Sequence, residues 1–230
     1  MFSSHVLCKV DDLHAAVEAW RDAGFTVQFG DAGSRAINAL VWFDEGPFIE
    51  LILAERARPP RAFEFVVKHL LRSRWVQRFD RWATQRDGWC ELALETHGSV
   101  KPVVAEAREW GLKVFGPVNN RRQPPDSPPI KTQTAFPHDL DLPILMGAYR
   151  PNPRPTRTAH ANGASGIRQI ALELPERAQA ALKRLLDADE RWLTVTTGPS
   201  LRIHHVVVDG LRETIDPERI NNAILLRADA

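Results

Sequence analysis

The sequence predicts an α+β fold built from repeated βαβββ modules. Short alternating segments of β-favouring residues recur along the chain, an amphipathic helix follows the first strand of each set, and glycines stand where the first two of those helices should stop. With 230 residues, 43% of them hydrophobic, the chain is long enough to bury a substantial core in one large domain or two small ones.

Segment 4–10 alternates as Ser-His-Val-Leu-Cys-Lys-Val, and Asp11 and Asp12 can cap the helix that follows. That helix is expected over 13–23, with Leu13, Ala16, Val17 and Trp20 as its apolar stripe and Gly24 as its exit. Strands are expected next at 25–29, 36–43 and 48–53, separated by polar, glycine-bearing turns. Residues 61–86 carry Phe63, Phe65, Leu70, Trp75, Phe79 and Trp82 at intervals that suit one bent or two short helices packed across the sheet.

After Gly88 the pattern restarts with a strand at 89–95, a helix at 100–110 stopped by Gly111, and a strand at 112–115. Residues 117–129, rich in Pro, Asn and Arg, read as an exposed loop, and strands at 132–136 and 142–149 close this second module. The Pro-rich passage 151–166 reads as a linker or extended crossing. Beyond it a strand at 167–174, a helix opened by Pro175, and strands at 193–197, 201–208 and 222–226 suggest a smaller third βαβββ-like unit. The expected organisation is therefore paired modules over 1–150 with inserted helices at 61–87, a connecting segment over 151–166, and the third unit over 167–230.

Composition narrows the function classes. Lys plus Arg total 30 against 29 for Asp plus Glu, so no global positive field gathers nucleic acid or anionic lipid. No apolar run approaches the ~20 residues a membrane-spanning helix needs, and the opening residues lack a secretory pattern, which points to a cytoplasmic protein. Cys8 and Cys90 lie in apolar strand-like segments and read as buried thiols, not as a disulfide or redox pair. Glycine-rich phosphate loops, serine nucleophile elbows and paired-cysteine zinc motifs are missing from the sequence.

The stretches His5-Val-Leu-Cys-Lys-Val-Asp-Asp-Leu13, Gly24-Phe-Thr-Val27, Asn38-Ala-Leu40 and Phe48-Ile-Glu-Leu51, with His160-Ala-Asn-Gly-Ala-Ser-Gly166 further on, together resemble the vicinal oxygen chelate superfamily, particularly proteins with a glyoxalase-like domain. The resemblance implies a glyoxalase-like curved sheet forming a U-shaped cup around a divalent metal. It places His5 at the first-strand ligand position and Glu50 at the fourth-strand acid, a donor pair that suits Zn, Fe, Mn or Ni better than Ca. The corresponding second-module positions, Trp89 and Gly147, supply no metal-binding side chain, so half of the expected ligand set is absent. His138 and Gln169 are the candidate substitutes.

Each candidate has a plain structural alternative. His5 is either a ligand or a hydrogen-bonded core histidine, and Glu50 needs a cation or donors only if it points inward. Asn38 interrupts an apolar strand and can present an amide to a bound oxygen, or can satisfy a turn. Arg35 and Arg121, with Arg122 beside it, are candidates to attract an anionic substrate at the cup mouth, although loop arginines are usually solvated. Trp89, like Trp42, Trp75 and Trp82, lines either an aromatic pocket or the core. The functions in view are a lyase- or oxygenase-type enzyme acting on a small oxygen-rich organic molecule, a metal-free small-molecule binding or resistance protein, and a structural protein; a homodimer is the expected assembly.

Overall fold

The computed structural model describes residues 1–31, 36–57, 74–124 and 128–228. The strands among them are β1 (Phe2–Val10), β2 (Gln28–Phe29), β3 (Asn38–Val41), β4 (Phe48–Leu53), β5 (Gly88–Glu95), β6 (Val114–Arg122), β7 (Ile130–Pro137), β8 (Ile144–Met146), β9 (Gly166–Leu174), β10 (Leu193–Thr197), β11 (Arg202–Asp209) and β12 (Leu225–Arg227). The helices are α1 (Leu13–Asp22), α2 (Gln77–Thr84), α3 (Lys101–Glu109) and α4 (Glu176–Leu185).

β1 to β8 form one curved sheet in the order β2-β3-β4-β1-β5-β8-β7-β6, which is two βαβββ units set side by side. Within each unit the first strand runs parallel to the fourth, β1 to β4 and β5 to β8, while the remaining neighbours are antiparallel. Antiparallel pairing of β1 with β5 joins the units at the centre. The third unit keeps the element order but not the pairing: β9 is central, with β10 parallel on one side, β11 antiparallel on the other, and β12 parallel to β11.

The two faces of the large sheet have different jobs. Its convex face carries Val6, Cys8, Val10, Ile49, Leu51, Leu92 and Leu94, which pack with α1, α3, α4 and the small sheet into the main core. Helix α1 forms there because Asp12 caps it, accepting from Ala15 N at 3.0 Å, and Gly24 leaves it at φ +86°. The concave face is covered by residues 74–86, whose Trp75, Val76, Phe79 and Trp82 pack on Leu7, Ile52, Ala93, Ile144 and Met146. The amphipathic spacing of the sequence therefore yields a helix at Gln77–Thr84, while the expected helical residues 61–73 fall outside the described ones.

The stretch expected to loop from Pro117 is instead strand through Arg122, paired with β7. As the outermost strand β6 has one neighbour, so Pro117 forfeits no interior ladder bond, and its side chains from Asn119 to Arg121 face solvent without apolar alternation. Other strands are shorter than expected, β2 and β8 most of all.

His160 and Asn162 of the glyoxalase-like stretch act as a strut. His160 Nδ1 accepts from Thr26 N at 2.9 Å while its Nε2 lies 2.9 Å from Trp42 O, and Asn162 Nδ2 donates to Ala23 O at 2.9 Å. The crossing segment is thereby pinned to the end of α1.

The covering helix is fastened by a buried ion cluster. Arg78 and Glu91 are both fully buried and hydrogen-bonded to each other, Arg81 adds a second bond to Glu91 at 3.0 Å, and Arg78 Nη2 also donates to Leu142 O at 2.9 Å. Removing the carboxylate alone strands the Arg78 charge in an apolar site. Glu91→Leu is expected to lose about 3–5 kcal/mol in urea unfolding. The double variant Arg78→Met/Glu91→Leu should lose less than Glu91→Leu alone, and equal or greater loss in the double would show that the cluster is not a coupled pair.

Candidate active site

Strand alternation puts His5, Leu7 and Lys9 of β1 on the opposite face from Val6, Cys8 and Val10. The parallel ladder sets Leu7 opposite Glu50 and His5 opposite Phe48, so His5 and Glu50 are diagonal neighbours on the concave face. On the far side of β4, Leu40 stands opposite Glu50 and Asn38 opposite Ile52, which brings the Asn38 amide diagonally to the same carboxylate. The side chains then close a chain of contacts: His5 Nε2 to Glu50 Oε2 at 2.9 Å, and Asn38 Nδ2 to Glu50 Oε1 at 2.6 Å. Phe48 stacks on the imidazole at 4.5 Å between centroids and fixes its plane.

Gly30 makes room for this arrangement. Its amide donates to Asn38 O, and a Cβ there would lie 2.0 Å from Asn38 Oδ1. The sequence marks Gly30 only as a turn residue; its need to stay small arises from a side chain brought against it across the strand pair.

A β-bulge extends the chain on the other side. The register of β1 on β5 slips between Ser3 and His5, leaving Ser4 as the extra residue. Two consecutive side chains thus reach one site: His5 Nδ1 lies 3.0 Å from Ser4 Oγ, which donates to Glu95 Oε2 at 2.7 Å. Since Ser4 gives its hydrogen to Glu95, Nδ1 of His5 is itself the donor to Ser4. The hydrogen on Nε2 then goes to Glu50, and both imidazole nitrogens are committed.

Burial raises the Glu50 carboxyl pKa, but the hydrogen bond and charge of His5, the Asn38 amide and the charge of Arg122 together leave it below the ordinary glutamate range. Glu95 goes the other way, raised by burial despite the Ser4 hydroxyl. Burial also pushes the Cys8 and Cys90 thiols up, which keeps both protonated and unreactive.

His5, Asn38 and Glu50 open on a cavity of about 460 Å³, walled on its other side by Phe79, Trp82, Phe136, Ile144 and Met146. Arg122 enters it from the end of β6 with its guanidinium carbon 5.3 Å from the centre of the Tyr149 ring. Its Nε and Nη2 are buried, and neither has a hydrogen-bond partner among the described residues.

The family model for a glyoxalase-like domain matches residues 4–187. The chain belongs to the glyoxalase-like domain family. A crystal structure of a hypothetical protein from Staphylococcus aureus superimposes over 98% of both chains with a TM-score of 0.66 at 13% identity. A variant of homoprotocatechuate 2,3-dioxygenase from B. fuscum gives a TM-score of 0.47 at 13% identity, covering 96% of this chain and 58% of that one. Methylmalonyl-CoA epimerase from Streptomyces coelicolor gives 0.40 at 18% identity, covering 64% and 96%. No curated protein matches.

In this glyoxalase-like protein the residues singled out from sequence separate. His5, Glu50 and Asn38 converge, and Arg121 sits exposed at the rim of the same cavity. Arg35 falls outside the described residues. Trp89 does not line the cup: the ladder slips between Leu7 and Cys8, Cys90 becomes the extra residue and joins the concave cluster, and Trp89 turns behind the sheet. There its indole donates to Ile224 O at 3.3 Å. A one-residue bulge is enough to reverse a side chain, and sequence alone does not reveal it. Arg122, the neighbour of Arg121, is the arginine with its fork inside.

Superfamily membership raises the question of a divalent metal, and the described residues bring together no ligand set for one. Glu50 and His5 are hydrogen-bonded to each other, and Asn38 and Ser4 hold their other polar atoms. The second half of the cup offers Ile144 and Met146, while Gly147 lies where a Cβ would meet Gly98 O at 3.0 Å. His138 and Gln169 do not line the cavity, and no group of three His, Cys, Asp or Glu suited to a metal occurs among the described residues. Elemental analysis of purified protein should therefore find well below one divalent ion per chain, with a melting temperature unmoved by chelator dialysis. One equivalent of metal, lost in both His5→Ala and Glu50→Ala, would contradict this.

The lowered pKa of Glu50 has a definite sign in stability. A carboxyl that ionises more readily when folded stabilises the fold above the ordinary glutamate range, and that contribution disappears as pH falls through the lowered folded value. Glu50→Gln should flatten this acid-side loss, so the gap between wild-type and variant melting temperatures should shrink on acidification through and below the glutamate range. A gap independent of pH would show that Glu50 is not held ionised.

Proposed function

We propose that this glyoxalase-like protein is a lyase-type enzyme that moves a proton on a small oxygen-rich organic molecule bound in the cup. The observation that carries the reading is the 2.9 Å contact between His5 Nε2 and Glu50 Oε2 on the wall of a cavity that also presents the apolar side chains of Leu7, Ile52, Phe79, Phe136, Ile144 and Met146. Glu50 lines the cavity, is held ionised, and is backed by a hydrogen-bonded imidazole that offsets its charge.

A carboxylate so placed takes the hydrogen from a carbon next to a carbonyl group. The C–H bond breaks, the proton passes to Glu50, and the electron pair moves toward the carbonyl oxygen as an enolate. Return of the proton to the same or a neighbouring atom completes an isomerisation, whereas departure of a leaving group with its electron pair from the adjoining carbon completes an elimination. Water is kept from the enolate by the covering residues 74–86, and the apolar wall strengthens each polar contact inside. Asn38 and Gly30 act as positioning residues: Asn38 holds one carboxylate oxygen while His5 holds the other, which leaves the remaining lone pairs for a ligand in the cavity.

A second reading, reversible binding without turnover, is favoured by the second module's side of the cup, which among the described residues adds amides, hydroxyls and arginines but no second carboxylate or imidazole. Hydrogen exchange into deuterated water separates the two. Wild type should exchange the α-hydrogen of at least one member of a panel of 2-hydroxy and 2-oxo carbonyl compounds, followed by proton NMR. Glu50→Gln should slow that exchange by about 100-fold or more. Bound but unexchanged compounds would favour the binding protein, and exchange unaffected by Glu50→Gln would remove the proposed base.

A further inference from the structure

We infer that Arg122 binds a carboxylate of the ligand side-on, so that the molecule taken into the cup is a small organic acid. The inference rests on the reading of the cup as a proton-handling site and adds the chemical class of its ligand.

Two buried donors without partners are the starting observation. Nε and Nη2 of Arg122 lie on one edge of the planar guanidinium, with their hydrogens pointing the same way, and neither is satisfied among the described residues. Buried polar groups in folded proteins are nearly always paired, and an unpaired pair on a permanent cation is the most expensive kind to leave so. That edge matches the two oxygens of a carboxylate in parallel hydrogen bonds. Tyr149 covers a face of the guanidinium at 5.3 Å, which leaves the edge as the group's means of meeting a ligand.

Charge and walls select the class further. Arg122 is close enough for its charge to lower Glu50, yet it makes no hydrogen bond with that carboxylate. An acid seated on the fork therefore lies between the cation and Glu50, with the hydrogen next to its carboxylate in a 2-hydroxy acid, or next to its ketone in a 2-oxo acid, within the span between them. A neutral carbonyl can accept from this edge but leaves the buried charge unanswered, and a doubly charged phosphate ester would bring excess negative charge against the ionised Glu50. Leu7, Ile52, Phe79, Phe136, Ile144 and Met146 offer apolar surface for the rest of the molecule. Trp82, in the same wall, has a buried indole N–H without a partner among the described residues, a further donor for an oxygen on the acid.

Isothermal titration of the full chain tests this with phenylpyruvate, phenyllactate and 4-methyl-2-oxopentanoate, each beside its primary amide, and with phenyl phosphate. At least one acid should bind about tenfold or more tightly than its amide, and Arg122→Met should lower that acid's affinity by about tenfold or more. Arg122→Lys, which keeps the charge but loses the parallel donors, should restore only a minor part. Arg122→Met should melt close to wild type without ligand, because two of the donors it removes have no partner among the described residues, and Glu50→Gln should still bind the acid. Acids and amides of equal affinity, an Arg122→Met variant that binds the acid like wild type, no measurable binding of any acid, or stronger Arg122-dependent binding of phenyl phosphate would each overturn the inference. Acids held by Arg122 without α-hydrogen exchange would sink the proton-transfer reading alone. Exchange on amides that ignores Arg122→Met would sink this inference alone.

Discussion

The parallel ladder between β1 and β4 sets Leu7 opposite Glu50, and because side chains alternate along both strands it commits His5 and Glu50 to the same concavity. A slip of one residue would send one of them into the core behind the sheet, where Val6 and Ile49 now pack. The register is secured from that side: the convex face is continuous apolar core shared with α1, α3, α4 and the small sheet, so any slip would bury charge and expose leucines. The large core is thus what holds a small polar site in place.

Inside the cup, polarity is concentrated and apolar surface is spread. Glu95, Ser4, His5, Glu50 and Asn38 form one hydrogen-bonded line across β5, β1, β4 and β3, and Arg122 stands apart from it with its fork unpaired. A satisfied line is rigid, since each member restricts the next, whereas an unsatisfied cation awaits an oxyanion. The helix over the site is held by buried charge too, through Arg78 and Arg81 on Glu91, so cover and floor are tied to adjacent strands of the same sheet.

Much of this was legible in the sequence because it depends on local chemistry and period. The capped helix α1, the alternation of β1, and a glutamate within the apolar run of β4 are patterns that a strand or helix imposes on its own residues. Features that depend on strand partners were not. The bulge at Cys90 turns Trp89 out of the cup, and the bulge at Ser4 turns that hydroxyl in, yet both residues sit in unremarkable alternating text. Between Arg121 and Arg122 the choice rests on a one-residue phase in an edge strand whose polar, proline-bearing sequence reads as loop. The demand for glycine at position 30 comes from Asn38 across the strand pair, which no local pattern encodes.

The central physical claim is that one hydrogen sits between His5 and Glu50 while a second sits between His5 and Ser4. Heteronuclear NMR of the ring nitrogens in histidine-labelled protein, with His5 assigned through His5→Gln, reads this directly. The account predicts that both ring nitrogens of His5 carry hydrogens in wild type and that Glu50→Gln abolishes this state. A single neutral tautomer of His5, the same in wild type and Glu50→Gln, would contradict it.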